Sequence, residues 1–313
     1  MSPASLQVRR VAAQETESAE PITWSAAGVA GIVPFQPTGT MPPLFCMHPA
    51  GGQVFLYRAF PAVLGPDQPV LAIQSDAVTD GGSEHMSIAA MAAAYAGRIE
   101  AVQRRGPYCL FGISFGGVVA HAVAAELERR GQAVGFLGIA DASPVADTRP
   151  FFEANSWYRT EIFPRLAPLL AVGTALGALL EILSTEESEE FFEDMATAPT
   201  RDFRDRVIDR LLELGHLRSR PTEAYLRAQA ALSRLHIELT RRHRDAIVAA
   251  PIHAYWPIDR RLSICRGDWR AWTNGGVVEK IVAGNHLTMC VRPHVEMVLR
   301  DVSGKLADCR ASR

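Results

Sequence analysis

The chain predicts an α/β fold, a mostly parallel central sheet with helices on both faces, and three observations carry that reading. Short apolar runs alternate with longer amphipathic stretches. Glycine-marked turns stand between the runs and the stretches that follow them. The alternation stops between about residues 150 and 250 and then resumes, so a helical insertion divides the sheet.

Residues 1–35 are rich in Ala, Ser, Glu and Pro without periodicity and read as a flexible, linker-like arm. The folded domain is expected over 36–308, with its first strand after Pro42. Leu44 to Met47 is followed by a helical Val54 to Leu64, Val70 to Ile73 by Ser87 to Arg105, and Tyr108 to Phe111 by Phe115 to Arg130. Val134 to Ala140 adds a further strand. Ser87 suits an N-cap ahead of Ile88, Met91, Tyr95, Ile99 and Val102, whose three- and four-residue spacing makes one apolar face. Gly106 and Pro107 stop that helix. Arg129 and Arg130 favour the negative end of the next one, with Gly131 as its left-handed cap.

The insertion reads as helical throughout. Leu166 to Leu180 is an apolar helix, Ser184 with Glu187 a capping box, and Tyr225, Leu232, Leu235 and Leu239 one stripe of a long helix. An acidic run from Glu181 to Asp194 precedes a stretch rich in arginine, from Arg201 to Arg244. That basic stretch reads first as a solvated helix face and second as a docking face for an acidic partner. Strands return at Ile252 to Trp256 and Val277 to Val282, and a closing helix runs from Pro293 to Leu306.

Composition excludes several classes. With 313 residues, 48% of them hydrophobic, and no period among 24 Gly and 20 Pro, neither a disordered nor a collagen-like chain fits. A net charge of −2 gives no electrostatic reason to bind nucleic acid. The five cysteines are scattered, without a CxxC pair or metal-ligand spacing, which points to reduced thiols, a cytoplasmic setting and no metal. The first 30 residues lack the apolar core of an export signal. The Leu166 to Leu180 run is shorter than the roughly 20 residues needed to span a bilayer, so no membrane role is expected.

The sharpest chemical signal is Gly112-Ile113-Ser114-Phe115-Gly116-Gly117, directly after an apolar run and directly before a helix. This GxSxG pattern in strand-turn-helix context is a nucleophile elbow, which exposes a serine hydroxyl above a helix N-terminus that favours negative charge. A serine needs a base and an orienting acid. His286 sits in Gly284-Asn285-His286 just after the last strand, on a glycine-marked loop. Of the competing histidines, His121, His216, His236 and His243 lie in helical stretches and His253 in a strand, and they read as packing or surface residues, while His294 falls in the closing helix. Two carboxylates qualify: Asp141 after Val134 to Ala140, and Asp259 after Ile252 to Trp256. Spacing does not choose between them. The loop His48-Pro49-Ala50-Gly51-Gly52 follows the first strand and can bring backbone amides to an oxyanion.

Taken together, Pro42-Pro43-Leu44-Phe45-Cys46, the His48 to Gly52 loop, Gly106-Pro107-Tyr108, the elbow, Ile139-Ala140-Asp141 and Gly284-Asn285-His286 resemble the thioesterase domains of non-ribosomal peptide and polyketide synthases. The resemblance implies an α/β-hydrolase fold with a helical lid over about 150–250. It implies a catalytic triad of Ser114, Asp141 and His286, with the Ala50 and Phe115 amides as oxyanion donors. The implied reaction releases an acyl or peptidyl chain from the phosphopantetheine of a carrier protein through an acyl-serine, by hydrolysis or macrocyclisation. No cofactor of the enzyme's own is implied, and the chain would be a monomer or a lid-mediated dimer. A discrete type II editing thioesterase, and an acyltransferase using an alcohol or amine, are the alternatives.

Overall fold

The central strands of this chain, Leu44–Met47, Val70–Ile73, Tyr108–Ile113, Val134–Ala140 and Ile252–Pro257, are buried on almost every position because helices cover both faces of the sheet there, so neither side of the pleat meets water. The computed structural model describes residues 22–23, 29–79, 84–155, 163–183, 185–260 and 262–311. Its strands are β1 (Ile22–Thr23), β2 (Ile32–Gln36), β3 (Thr38–Gly39), β4 (Leu44–Met47), β5 (Val70–Ile73), β6 (Tyr108–Ile113), β7 (Val134–Ala140), β8 (Ile252–Pro257) and β9 (Val277–Val282). Seven of them form one sheet in the order β2-β5-β4-β6-β7-β8-β9, parallel except for the antiparallel β2.

The helices are α1 (Phe60–Leu64), α2 (Asp76–Thr79), α3 (Ile88–Val102), α4 (Phe115–Arg129), α5 (Val145–Ala154), α6 (Phe163–Leu166), α7 (Gly173–Ile182), α8 (Thr185–Thr197), α9 (Thr200–Glu213), α10 (Glu223–Arg242) and α11 (His294–Ala311). Alternation along each strand builds two cores. Phe45 and Met47 of β4 point toward α3 and α4, whereas Leu44 and Cys46 point toward Tyr57, Phe60 and α11. Ser87 caps α3 by accepting from the Ala90 N–H at 3.1 Å.

Several expectations are corrected. The arm does not extend to residue 35, because Ile32–Gln36 pairs with β5 and Ile32 is buried. Pro34 obscures this strand in the sequence, yet a residue without an N–H is tolerated at a sheet edge, where β2 lies. Ile22–Thr23 also pairs, with β3; the rest of the expected arm before residue 29 lies outside the described residues. The helix expected over Val54 to Leu64 starts as a 3-10 turn, Phe55–Ala59, before α1.

Between β7 and β8 the chain is helical, from α5 to α10, around a third core that includes Phe152, Leu169, Leu176, Phe203 and Ile208. The apolar run Leu166 to Leu180 is not one helix. It breaks into α6, a 3-10 turn (Leu169–Val172) and α7, because Pro168 supplies no backbone donor and Gly173 weakens continuation. On α10 the buried stripe is Leu226, Ala230, Leu232 and Leu239, whereas Tyr225 is 38% exposed. The expected Ser184 cap lies outside the described residues.

The arginines of the basic stretch pair mostly with carboxylates of the same stretch, and one of them reaches back to the acidic run. Arg206 pairs with Asp194 at 2.6 Å, Arg204 bridges Asp205 and Glu223 at 2.9 Å each, Arg220 pairs with Asp209, and Arg241 and Arg242 pair with Glu238. Much of the basic stretch is therefore neutralised within the insertion. Among the described residues, no helix is long and apolar enough to cross a membrane.

Candidate active site

The carboxyl ends of β4, β6, β7 and β9 deliver the chemistry-bearing residues to one edge of the sheet. At the end of β6, Ser114 holds φ 56° and ψ −130°, a conformation that L residues adopt only under constraint. Its N–H is bonded to the Ala140 carbonyl at 2.9 Å. The flanking glycines permit the turn: a Cβ on Gly112 would lie 2.0 Å from the Gly116 carbonyl oxygen, and one on Gly116 would lie 2.5 Å from that of Met47. Phe115 begins α4, so its N–H belongs to the first helical turn and has no partner within the helix.

Asp141 follows β7 directly and is also held at positive φ, 40°, with its N–H on the Tyr255 carbonyl at 2.8 Å. His286 lies on the loop after β9. Its Nδ1 is 2.6 Å from Asp141 Oδ2, and Asp141 is 7% exposed. The Nδ1 proton therefore faces a carboxylate and leaves Nε2 as the second ring nitrogen. Asp259, the other carboxylate open to sequence reasoning, has its N–H on the Gly284 carbonyl at 3.1 Å, and the partner of His286 Nδ1 is Asp141.

Sequence reasoning missed one supporting residue here. Ser263 donates its hydroxyl to Asp141 Oδ2 at 2.6 Å from a loop 122 positions away, and no pattern marks it.

Ser114 and His286 open onto a cavity of about 590 Å³ that also reaches Ala50 and Gly51. Its walls are largely apolar, with Phe55, Phe163, Leu170, Ile237, Leu262 and Leu287 among them. Cys290 also lines it, and burial pushes that thiol up to about 12, so it is held protonated. Lid elements supply one wall: α7 packs on the His286 loop closely enough that a Cβ on Gly177 would lie 2.8 Å from the Leu287 carbonyl oxygen.

Behind the loop 48–52 is a buried polar group that the sequence did not reveal. Ligand atoms of His48, Glu84 and His236 lie within 4.8 Å of one another, the arrangement among the described residues that comes nearest to a metal site. Each imidazole nitrogen already has a protein partner. His48 Nδ1 meets the Pro49 carbonyl at 2.9 Å and Nε2 the Tyr95 hydroxyl at 2.8 Å; His236 Nδ1 meets the Ala50 carbonyl at 2.7 Å and Nε2 meets Glu84 Oε2 at 3.1 Å. The ring nitrogens are thus engaged in a hydrogen-bond network within the protein. Burial, then the neighbouring His236, lowers the His48 imidazole to about 3. The available sequence signal for His236 was its place in a row of polar residues, Gln229, Ser233 and Thr240, beside the apolar stripe of the same helix.

The mostly parallel sheet, with its strand-turn-helix elbow and the acid-histidine pair at its carboxyl edge, has the α/β-hydrolase fold. Solved relatives of this fold include the NocB thioesterase domain from the nocardicin cluster, with TM-score 0.58 and 18% identity over 88% of this chain and 98% of that one. The type II thioesterase BorB from the borrelidin cluster gives TM-score 0.56 and 20% identity over 88% and 97%. At such identities the likeness is one of fold. The thioesterase domain family model matches residues 42–306, and the chain belongs to that family. In sequence it is 40% identical over 110 residues to malpinin synthetase of Mortierella alpina, a match covering 35% of this chain and 1% of that one. The chain thus spans only a small fraction of the length of the curated relatives it matches.

Proposed function

We propose that this thioesterase-family protein is a serine hydrolase that releases an acyl or peptidyl chain from the phosphopantetheine arm of a carrier protein. The observation that carries the reading is the 2.6 Å contact of His286 with Asp141 together with a serine held in the strained elbow, Ser114 and His286 both facing one apolar cavity. Ser114 Oγ attacks the thioester carbonyl carbon as His286 Nε2 takes its proton. The tetrahedral oxyanion is met by the Ala50 and Phe115 N–H groups, each contributing roughly 3 kcal/mol in comparable sites. The C–S bond then breaks, His286 returns the proton to the leaving thiolate, and an acyl-Ser114 ester remains. Water, or a nucleophile on the chain itself, attacks this ester with His286 again as base, and Ser114 is regenerated.

The size and lining of the cavity support a long apolar chain over a short acyl group. The exposed guanidinium groups of Arg58 and Arg292 line the same cavity and offer positive charge to the phosphate of the arm. Mass spectrometry of the intact protein, incubated with long-chain acyl-carrier thioesters, is expected to trap an acyl adduct on Ser114 and none on Ser114→Ala. Turnover by Ser114→Ala at the wild-type rate would refute the mechanism. Faster turnover of acetyl-carrier than of long-chain carrier would instead favour an editing role.

A further inference from the structure

The loop 48–52 carries two adjacent glycines, Gly51 and Gly52, directly after the candidate donor Ala50, so its own backbone offers little resistance to rotation. The peptide that carries the Ala50 N–H is held within the loop, its Pro49 carbonyl accepting from the Gly52 N–H at 2.8 Å and lying 2.9 Å from His48 Nδ1, whereas the next peptide, Ala50–Gly51, finds the partner of its carbonyl outside the loop. α10 reaches it with a polar stripe, Gln229, Ser233, His236 and Thr240, all buried on a helix whose neighbouring buried positions are apolar. His236 is fully buried, and both its ring nitrogens face acceptors: the Ala50 carbonyl at 2.7 Å and Glu84 Oε2 at 3.1 Å. A carbonyl cannot donate, so Nδ1 carries a proton toward Ala50.

Glu84 is an acceptor on every side. Its Oε2 also accepts the Ser75 hydroxyl, and its Oε1 accepts the His85 N–H at 2.9 Å. Burial acts to raise this carboxyl, but hydrogen bonds from His236, Ser75 and His85 outweigh it and lower it to about 2. The Nε2 proton of His236 is thereby directed to a carboxylate. The face of the same ring stacks on Phe115, with centroids 4.5 Å apart and planes 13° apart. One side chain of the insertion therefore touches both residues assigned as oxyanion donors, Ala50 through its carbonyl and Phe115 through its ring.

We propose that His236, clamped by Glu84, is a positioning residue that anchors the Ala50–Gly51 peptide by its carbonyl and Phe115 by its ring, and through them keeps the Ala50 and Phe115 amides oriented, so that the oxyanion hole is complete only when α10 is seated on loop 48–52. The proposal rests on the assignment of those two amides as oxyanion donors. Interactions made only in the transition state lower kcat when lost and leave KM nearly unchanged. Displacing a donor should cost less than deleting one, for which losses of about 10²–10³ in kcat are typical.

The test is steady-state hydrolysis of an octanoyl thioester of N-acetylcysteamine by His236→Ala, His236→Gln and Glu84→Gln, with fluorophosphonate labelling of Ser114 in the wild type. His236→Ala is expected to lower kcat by about 10- to 100-fold with KM held within about threefold. His236→Gln, whose amide can donate to the Ala50 carbonyl, should recover most of that loss, and Glu84→Gln should lower kcat severalfold. If His236→Ala does not fold, the contrast between Glu84→Gln and His236→Gln decides. A folded His236→Ala or Glu84→Gln with wild-type kcat would overturn the proposal, as would equal loss of kcat and affinity without recovery in His236→Gln. Failure of the wild type to form a Ser114 adduct would instead refute the serine mechanism itself.

Discussion

Ser114 and Asp141 are both non-glycine residues at positive φ, each at the carboxyl end of its strand. Such conformations cost on the order of 1–3 kcal/mol apiece, and the surrounding sheet holds them. Ser114 was legible because its strain demands small neighbours, and Gly112 and Gly116 stand in the sequence to supply them. Asp141 was not legible by spacing alone, since Asp259 occupies the equivalent position after the next strand. The His286 contact separates them. Asp141→Asn is expected to lower kcat by about 10²–10⁴-fold, because the ring loses the partner that orients it and stabilises its charge. Asp259→Asn should leave kcat within a few-fold; a larger loss for Asp259→Asn than for Asp141→Asn, measured on the same thioester, would reverse the assignment.

At the scale of elements, the elbow is a contact between backbones. A methyl group on Gly116 would sit 2.5 Å from the Met47 carbonyl and 2.8 Å from that of His48, and neither atom belongs to a flexible side chain. Gly116→Ala should therefore destabilise the protein by roughly 3 kcal/mol, at the upper end of overpacking costs, read as a lower urea midpoint. An unchanged midpoint would mean that β4 and α4 can separate without penalty. Periodicity revealed α3 and α10 because each lays one apolar face on a core. It misjudged the Leu166 to Leu180 run, which is apolar all round, since such a run does not show where Pro168 divides it. It also passed over β2, where Pro34 interrupts the pattern at a sheet edge.

At the scale of the whole molecule, loss of hydration disfavours protonation of four histidines, His48, His121 and His253, which are buried, and His243, which is partly so. Burial lowers His121 and His243 to about 4, and burial with His236 nearby lowers His48 to about 3. In the unfolded chain these groups titrate near 6.5. Below that pH the unfolded state binds more protons than the folded state, so stability present above pH 6.5 is lost as pH falls toward 4. Glu84, lowered to about 2, acts in the same direction: its contribution is present above its ordinary value of about 4.5 and is lost below it. The urea midpoint should fall between pH 7.5 and pH 5, and His121→Phe should make the fall shallower. A midpoint constant across that range would contradict burial of neutral imidazoles.

Local pattern by itself determined the parallel sheet, the elbow serine, the histidine after the last strand and the place of the helical insertion. These follow from near-neighbour chemistry: strand alternation, helix spacing and the small residues that a tight turn requires. Tertiary structure alone decided which carboxylate meets His286, which carboxylates the arginines of the insertion pair with, and that His236 reaches Ala50 across 186 positions of chain. Those pairings depend on how helices from distant segments seat against the sheet edge, and no periodicity within one segment encodes the distance to another.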